Sequence, residues 1–417
     1  MKKTINQNIF PWIWKWHFIG GIISAPVIII LAITGILYLF RDSYEASQIQ
    51  RLSQVEEMAG DKMTYQQQWE LVKKEWEKVP TAVALPGSES EGTEFISGKF
   101  SQKSSLYIDP YAKKVNGIVN VKETDMQKVR KLHGELLLGR YGAKVVELVA
   151  SWMVVLIITG LYIFWPRGKG IKGFVTIRTN QTKRILYRDI HALIGFWFSI
   201  LLIIVLAGGL PWTDVFGAGF RWVQDKTETG YPATWESNTV KSIPDEGTIS
   251  LDEVMAKAKE LSLDGRTLID LPQKPTDVFS IYNRTANLSL MKKYHLDQYS
   301  GEVLVSHGWA DIGILIKGRL WVMAFHQGQF GLWNWYLMIF VAAGLLVLSV
   351  AAIVAYFYRK RPGSLSVPAV PDGFSPSIAL LVIVMLLGVT LPLFGLSVVL
   401  IFILNKLKVE KKMSMNN

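Results

Sequence analysis

The stretch KWHFIGGIISAPVIIILAITGILYLF, residues 15–40, places one histidine at the head of a long apolar run, and IHALIGFWFSILLIIVLAGGLPW, residues 190–212, repeats the arrangement. His17 precedes Gly21 by four residues and Gly35 by 18, while His191 precedes Gly195 by four and Gly209 by 18. On a helix of about 3.6 residues per turn, both offsets return to nearly the same face, so each run presents a histidine and two glycines along one stripe. Each run also reaches the roughly 20 apolar residues needed to cross about 30 Å of hydrocarbon.

Outward from this pair, five apolar runs stand out: Trp12 to Phe40, Lys144 to Trp165, Ile190 to Trp212, Leu332 to Tyr358 and Ser377 to Leu404. Half of the 417 residues are hydrophobic, a share that suits a bilayer better than water as solvent. The first run is too long for a cleaved signal peptide and no small-residue cleavage site follows it, so it is expected to stay in the mature chain. The formal charge of +11 is distributed as topology demands, at Lys2 and Lys3, at Arg167, Lys169, Lys172, Arg178, Lys183 and Arg184, and at Arg359, Lys360 and Arg361. The positive-inside rule therefore predicts a multi-pass protein of the bacterial cytoplasmic (inner) membrane with a cytoplasmic N-terminus, and nucleic acid is not an expected partner. With no cysteine, the chain has no disulfide, thiolate metal site, iron–sulfur cluster or covalent c-type haem. It also lacks a Gly-rich dinucleotide fingerprint, a P-loop and a His-Glu-x-x-His helix.

The predicted fold class is an integral membrane α-helical bundle of about five transmembrane helices in two pseudo-repeated halves, about 12–168 and 187–362, with two small α+β outer domains. The expected order is helix 1 (12–40), outer domain 1 (41–126), helix 2 with its outer extension (127–168), a cytoplasmic loop (169–186), helix 3 (187–212), outer domain 2 (213–317) and helix 4 with its extension (318–361). A last segment (377–404) follows, either a fifth helix or a re-entrant hairpin. One long kinked helix is preferred there, although the basic end from Lys406 to Lys412 would then lie outside. The outer segments contain matching strand-turn patterns, Ser-Leu-Tyr-Ile-Asp-Pro-Tyr-Ala-Lys-Lys-Val (105–115) and Lys-Tyr-His-Leu-Asp-Gln-Tyr-Ser-Gly-Glu-Val (293–303), which read as hairpins. Asp109 and Asp297 are expected to shape their turns. Repeats in the same orientation imply a pseudo-twofold axis along the membrane normal.

Ionisable residues in membrane helices are functional candidates because hydrocarbon penalises polar groups without partners. Topology puts His17 and His191 at one level and His133 and His326 at another. Neutral imidazole is a good axial ligand for haem iron, and Gly21 and Gly195 one turn away would leave space for a flat macrocycle, so two stacked b-type haems follow. Two plainer readings stand beside this one: interfacial histidines that only make hydrogen bonds, and glycines that only let helices pack closely. Arg140 and Arg319, near the outer histidines, suit haem propionates, though positive rims also occur without a ligand. His295, on a strand, and His307, in a loop, read as ordinary residues, and the tryptophans at helix ends read as an interfacial belt.

The motifs Trp-Lys-Trp-His-Phe-Ile-Gly-Gly (14–21), Leu-His-Gly-Glu-Leu-Leu-Leu-Gly-Arg-Tyr-Gly (132–142) and Ile-Thr-Gly-Leu-Tyr-Ile-Phe-Trp-Pro-Arg (158–167) resemble those of the PepSY-associated transmembrane family, also called iron-regulated membrane proteins, which includes FoxB-type ferrisiderophore reductases. The resemblance covers nearly the whole chain. It implies PepSY-like outer domains and a dihaem, haem-dependent ferric-chelate reductase that moves electrons across the membrane to a ferric siderophore or other iron chelate outside. An unidentified cytoplasmic electron donor would supply them. Carried over residue by residue, the bis-histidine haem ligands are His17, His133, His191 and His326. Pairing His17 with His191 and His133 with His326 comes from topology alone. The fourth helix departs from the pattern, closing with Tyr-Arg-Lys-Arg-Pro. The competing expectations are a non-enzymatic membrane-anchored protein that binds peptides or a partner through its outer domains, and a siderophore or metal permease.

Overall fold

The computed structural model describes residues 2–55, 58, 60–166, 170–370, 374 and 376–414, with side chains placed between residues 9 and 407. The first half runs α1 (Lys2–Leu39), α2 (Arg41–Ser53), α3 (Tyr65–Glu75), β1 (Ala82–Ala84), β2 (Thr93–Ser97), β3 (Ser104–Asp109), β4 (Lys114–Asn120), α4 (Asp125–Glu135) and α5 (Gly139–Phe164). The second half matches it element for element: α6 (Lys183–Gly209), α7 (Val215–Lys226), α8 (Leu251–Glu260), β5 (Arg266–Asp270), β6 (Val278–Arg284), β7 (Lys292–Asp297), β8 (Val303–Gly308), α9 (Ile314–His326) and α10 (Leu332–Arg359). Two apolar helices close the chain, α11 (Ile378–Thr390) and α12 (Pro392–Ser414). The expected duplication is thus present in the fold. Arg167 and Lys169 of the predicted basic loop lie outside the described residues.

Four helices, α1, α5, α6 and α10, are long and apolar enough to cross a membrane. They close into a ring in which α1 packs on α5 and α10, and α6 packs on the same two neighbours, so α1 and α6 stand diagonally across the bundle. Its interior holds Ile28, Val149, Met153, Leu202, Leu206, Met338 and Val341. Gly344 permits one of the close approaches, since a Cβ there would lie 2.4 Å from the Phe198 ring. Pro26 sits inside α1, a position that membrane helices tolerate because neighbouring helices re-satisfy the freed backbone.

The two polar segments do not form separate domains, which corrects the expectation for 41–126 and 213–317. They build one antiparallel eight-stranded sheet in the order β4-β3-β2-β1-β5-β6-β7-β8. The join is β1 against β5, with Val83 opposite Ile269, so each half supplies four strands related by a local twofold between those two. A four-stranded half would leave β1 and β5 as bare apolar edges, and pairing them satisfies both backbones at once. Both α3 and α8 cover one face, over a core of Val72, Phe95, Ile108, Met255, Phe279 and Ile281. The two helices also cap each other across the pseudo-twofold: Asp252 accepts from the Tyr65 and Gln66 amides (2.8 and 3.0 Å), and Gln66 Oε1 accepts from the Leu251 amide (3.0 Å).

The predicted hairpins are present as β3-β4 and β7-β8. Asp109 Oδ1 accepts from the Tyr111 and Ala112 amides, and Asp297 Oδ2 from those of Tyr299 and Ser300, so both aspartates shape turns as expected. His307, expected in a loop, lies on β8, where it continues the strand opposite Lys293. His295 on β7 is fully buried, and its Nδ1 shares a 2.7 Å hydrogen bond with Ser280 Oγ. Burial, and then the charge of Lys293, lower its pKa to about 4. Because an unfolded histidine titrates near 6.5, acid favours the unfolded chain: the sheet is expected to lose up to about 3 kcal/mol as pH falls from about 6.5 through 4. Thermal unfolding of wild type and His295→Phe at pH 7 and pH 4.5 checks this, and the wild type should show the larger loss.

The closing segment is a helical hairpin, which corrects the preference for one long helix. Leu391 leaves the helical region (φ −122°, ψ 81°) before Pro392, as a residue preceding proline is driven to do. The chain then folds back with Gly395 against Gly388, a Cβ on Gly395 falling 2.5 Å from the Gly388 carbonyl oxygen. At 13 residues, α11 spans roughly 20 Å, short of the hydrocarbon thickness. The hairpin docks on α5, where Trp152 Nε1 donates to Ser397 Oγ (3.1 Å) and packs edge-on against Phe394.

Candidate functional site

Two pairs of histidines meet inside the bundle, one near the sheet domain and one near the opposite membrane face. At the far layer, His17 from α1 and His191 from α6 come in from diagonal helices, with ring centres 6.2 Å apart and planes at 71°. At the sheet-side layer, His133 from α4 and His326 from α9 repeat the arrangement at 6.2 Å and 67°. The juxtapositions expected from topology are therefore those seen. Along α1, His17 and Gly35 are 18 residues apart, roughly 27 Å at 1.5 Å per residue, which sets the spacing of the layers.

Each histidine is oriented through Nδ1. Thr159 Oγ1 donates its single proton to the Val155 carbonyl (2.7 Å), so it can only accept from His17 Nδ1 (2.9 Å). Thr34 Oγ1 likewise donates to the Ile30 carbonyl (2.6 Å) and accepts from His133 Nδ1 (3.1 Å). In the second half, backbone carbonyls, which are acceptors only, take the same role: Leu348 O for His191 Nδ1 (3.1 Å) and Val205 O for His326 Nδ1 (2.9 Å). All four rings therefore carry a proton on Nδ1, and each, when neutral, presents an unprotonated Nε2. None of these Nε2 atoms has a hydrogen-bond partner among the described residues. This is how ligating histidines are normally held, with the second nitrogen donating to a carbonyl or hydroxyl.

The glycines divide between the layers. A cavity of about 1130 Å³ surrounds His17 and His191, and Gly21 and Gly195 line it as the stripe predicts. The more distant glycines serve the other layer: a Cβ on Gly35 would sit 3.4 Å from His133 Cε1, and one on Gly209 3.9 Å from His326 Cε1. Gly160, which the sequence reading did not single out, lets His17 approach α5, with a Cβ there 3.1 Å from His17 Cε1. The repeated Ile-Thr-Gly, at 33–35 and 158–160, thus provides a hydrogen-bond acceptor and the space for an imidazole in consecutive residues. That repeat was the available signal for Thr34 and Thr159. The two carbonyl acceptors have no side-chain signature at all.

The arginines separate too. Arg140 is largely exposed and donates to Asp214 (3.0 Å), an ion pair at the sheet-side end of the bundle. Arg319 is buried, with its guanidinium 4.0 Å over the Trp212 ring and its Nε without a partner among the described residues.

Among the described residues no cluster of three or more metal-ligating side chains exists, so each layer offers two imidazoles and no third donor. A bare ion would lack most of its ligands, whereas a haem brings four equatorial nitrogens and needs two axial ones. Each pair brings two imidazole rings to 6.2 Å between centres, and those two residues would hold the group. The donor set fits the group.

A duplicated four-helix bundle carrying a shared sheet and two histidine layers defines a polytopic membrane protein. The sequence model of the PepSY-associated TM region matches residues 14–360, and the chain belongs to that family. No curated protein matches it significantly.

Thr159→Val removes the acceptor for His17 and keeps the side-chain volume. If His17 and His191 hold a cofactor, the change is expected to weaken its retention by about 10- to 100-fold, and Thr159→Ser should restore it. Absorbance titration of cofactor-depleted protein reads the difference.

Proposed function

We propose that the protein is a dihaem membrane reductase that carries electrons across the cytoplasmic membrane to ferric iron held in a chelate, such as a siderophore, on the outer side. The basic residues at the far face favour a cytoplasmic position for that face and the N-terminus, with the sheet domain outside. The observation that carries the reading is the common arrangement of the four histidines: two pairs with ring centres 6.2 Å apart, each ring held through Nδ1 by an acceptor on another helix.

Haem, when bound, supplies a one-electron iron couple at each level. His17 and His191 would hold it on the cytoplasmic side, and His133 and His326 on the outer side. The threonine and carbonyl acceptors keep each ring from rotating and make its Nε2 a better donor. Arg319, whose Nε has no partner among the described residues, would be the cation for a propionate at the outer level, whereas Arg140 is already paired with Asp214. Aliphatic packing fills the bundle between the two levels. Reduction of ferric iron weakens the hold of a hard-donor chelate, and the metal is released.

Purified protein expressed with ample haem is expected to carry two b-type haems per chain, counted as pyridine haemochrome, with a Soret band that sharpens on reduction. Colourless protein with a native helical spectrum would overturn the reading.

A further inference from the structure

We infer that the cytoplasmic mouth of the far-layer cavity is a phosphate-binding site for an aromatic phosphate of the flavin mononucleotide kind, the class of molecule that delivers electrons there. The inference rests on the haem reading for the direction of electron flow. The cavity wall carries five cations, Lys172, Arg178, Arg184, Arg188 and Arg359, against one carboxylate, Asp189. Asp189 is already shared, accepting from Arg178 at 2.7 and 2.8 Å and from Arg188 at 2.9 Å. Five positive charges less one leave four, and the two propionates of a haem would neutralise two. A net charge of two remains for a further anion.

One of these cations is held in an unusual way. The Arg359 guanidinium lies 4.4 Å over Phe18 and 5.4 Å over Trp14, and its Nη2 is buried with no hydrogen-bond partner among the described residues. Topology explains basic residues in a cytoplasmic loop. It does not explain a guanidinium nitrogen enclosed in a cavity wall without an acceptor. Arg184, on the adjoining end of α6, makes no ion pair among the described residues. At about 1130 Å³ the cavity also exceeds the roughly 1000 Å³ upper range of pockets that enclose one drug-sized ligand.

Electron chemistry selects the class. A reduced nicotinamide transfers hydride, two electrons at once, to centres that accept one. A quinol can give single electrons but brings no anion to the arginines. A reduced flavin mononucleotide does both. It is oxidised by two electrons in single steps and releases two protons to the cytoplasm, and each electron reduces one ferric ion to ferrous. Its phosphate would bind Arg184 and Arg359, and its ring would lie against the aromatic rim formed by Trp14 and Trp165.

The test uses full-length protein in nanodiscs of zwitterionic lipid and, separately, of lipid containing anionic phospholipid. Equilibrium dialysis with oxidised flavin mononucleotide should show saturable binding in both, at least 10-fold tighter than riboflavin, which lacks the phosphate. Arg184→Gln combined with Arg359→Gln should weaken binding at least 10-fold with haem count and reduced spectrum unchanged. Arg184→Gln alone, at an exposed position, should give part of the loss if the double variant fails to fold. Equal binding of the two flavins, or unchanged binding in the variants, overturns the proposal. So does the absence of flavin binding together with loss of co-purified anionic lipid from the double variant, which would assign the cations to lipid headgroups. Protein that binds the nucleotide but contains no haem would sink the cofactor reading and leave this site standing.

Discussion

If the protein is the proposed dihaem reductase, His191→Ala is expected to halve its haem content, from two per chain to one, and to lower the rate of electron transfer to an external ferric chelate on the order of 100-fold or more. The remaining partner, His17, would be left as the single ring of its pair facing the cavity. His17→Ala should produce the same loss, and the double variant His17→Ala, His191→Ala should lose no further haem, because both side chains serve one group. Combining His17→Ala with His133→Ala instead crosses the two layers and should strip both haems. Haemochrome counts on the four proteins decide the matter. Two haems in the His191→Ala protein, or one haem in the cross-layer variant, would show that the facing rings in this fold are not ligand pairs. Retained function without haem would favour a scaffold that acts through the sheet domain.

Gly208→Val should damage only the sheet-side layer. A Cβ at Gly208 would lie 2.5 Å from the Val322 carbonyl oxygen and 2.7 Å from His326 Cβ. Backbone cannot yield as a side-chain end can, so α9 must move off α6, at a cost of about 1–3 kcal/mol for overpacking. The shift would break the 2.9 Å bond from His326 Nδ1 to Val205 O and misplace the ring. The expected result is loss of one haem, with the potential and spectrum of the far-layer haem retained and chelate reduction down at least 10-fold. Gly134→Ala is the control, since nothing lies within 4 Å of its Cβ even though it follows His133 directly. If Gly208→Val and Gly134→Ala behave alike, the steric account of the outer layer is wrong.

Spacing made the bundle legible. The offsets from His17 to Gly21 and Gly35, repeated from His191, fall on one helical face in each helix, and a duplicated stripe implies duplicated geometry. The turn aspartates Asp109 and Asp297 were equally readable, because an Asx turn is a local arrangement written within four residues. Local reading failed where a partner lies far away in the chain. Two strand-turn segments look like two domains until β1 finds β5, some 180 residues on, as a better edge than water. The closing run looked like one helix because hydropathy continues through it, whereas Leu391-Pro392 and the contact of Gly388 with Gly395 reverse it.

The sequence by itself determined that this is a duplicated membrane protein and which four histidines stand at two levels, because those properties depend on periodicity, hydropathy and charge along the chain. Only the tertiary structure decided that the halves share one sheet, that the glycines divide between layers, and that every histidine presents Nε2. That last property depends on two threonines and two backbone carbonyls brought in from other helices. A carbonyl group is common to every residue, so only its place in space marks it as the acceptor that sets a tautomer.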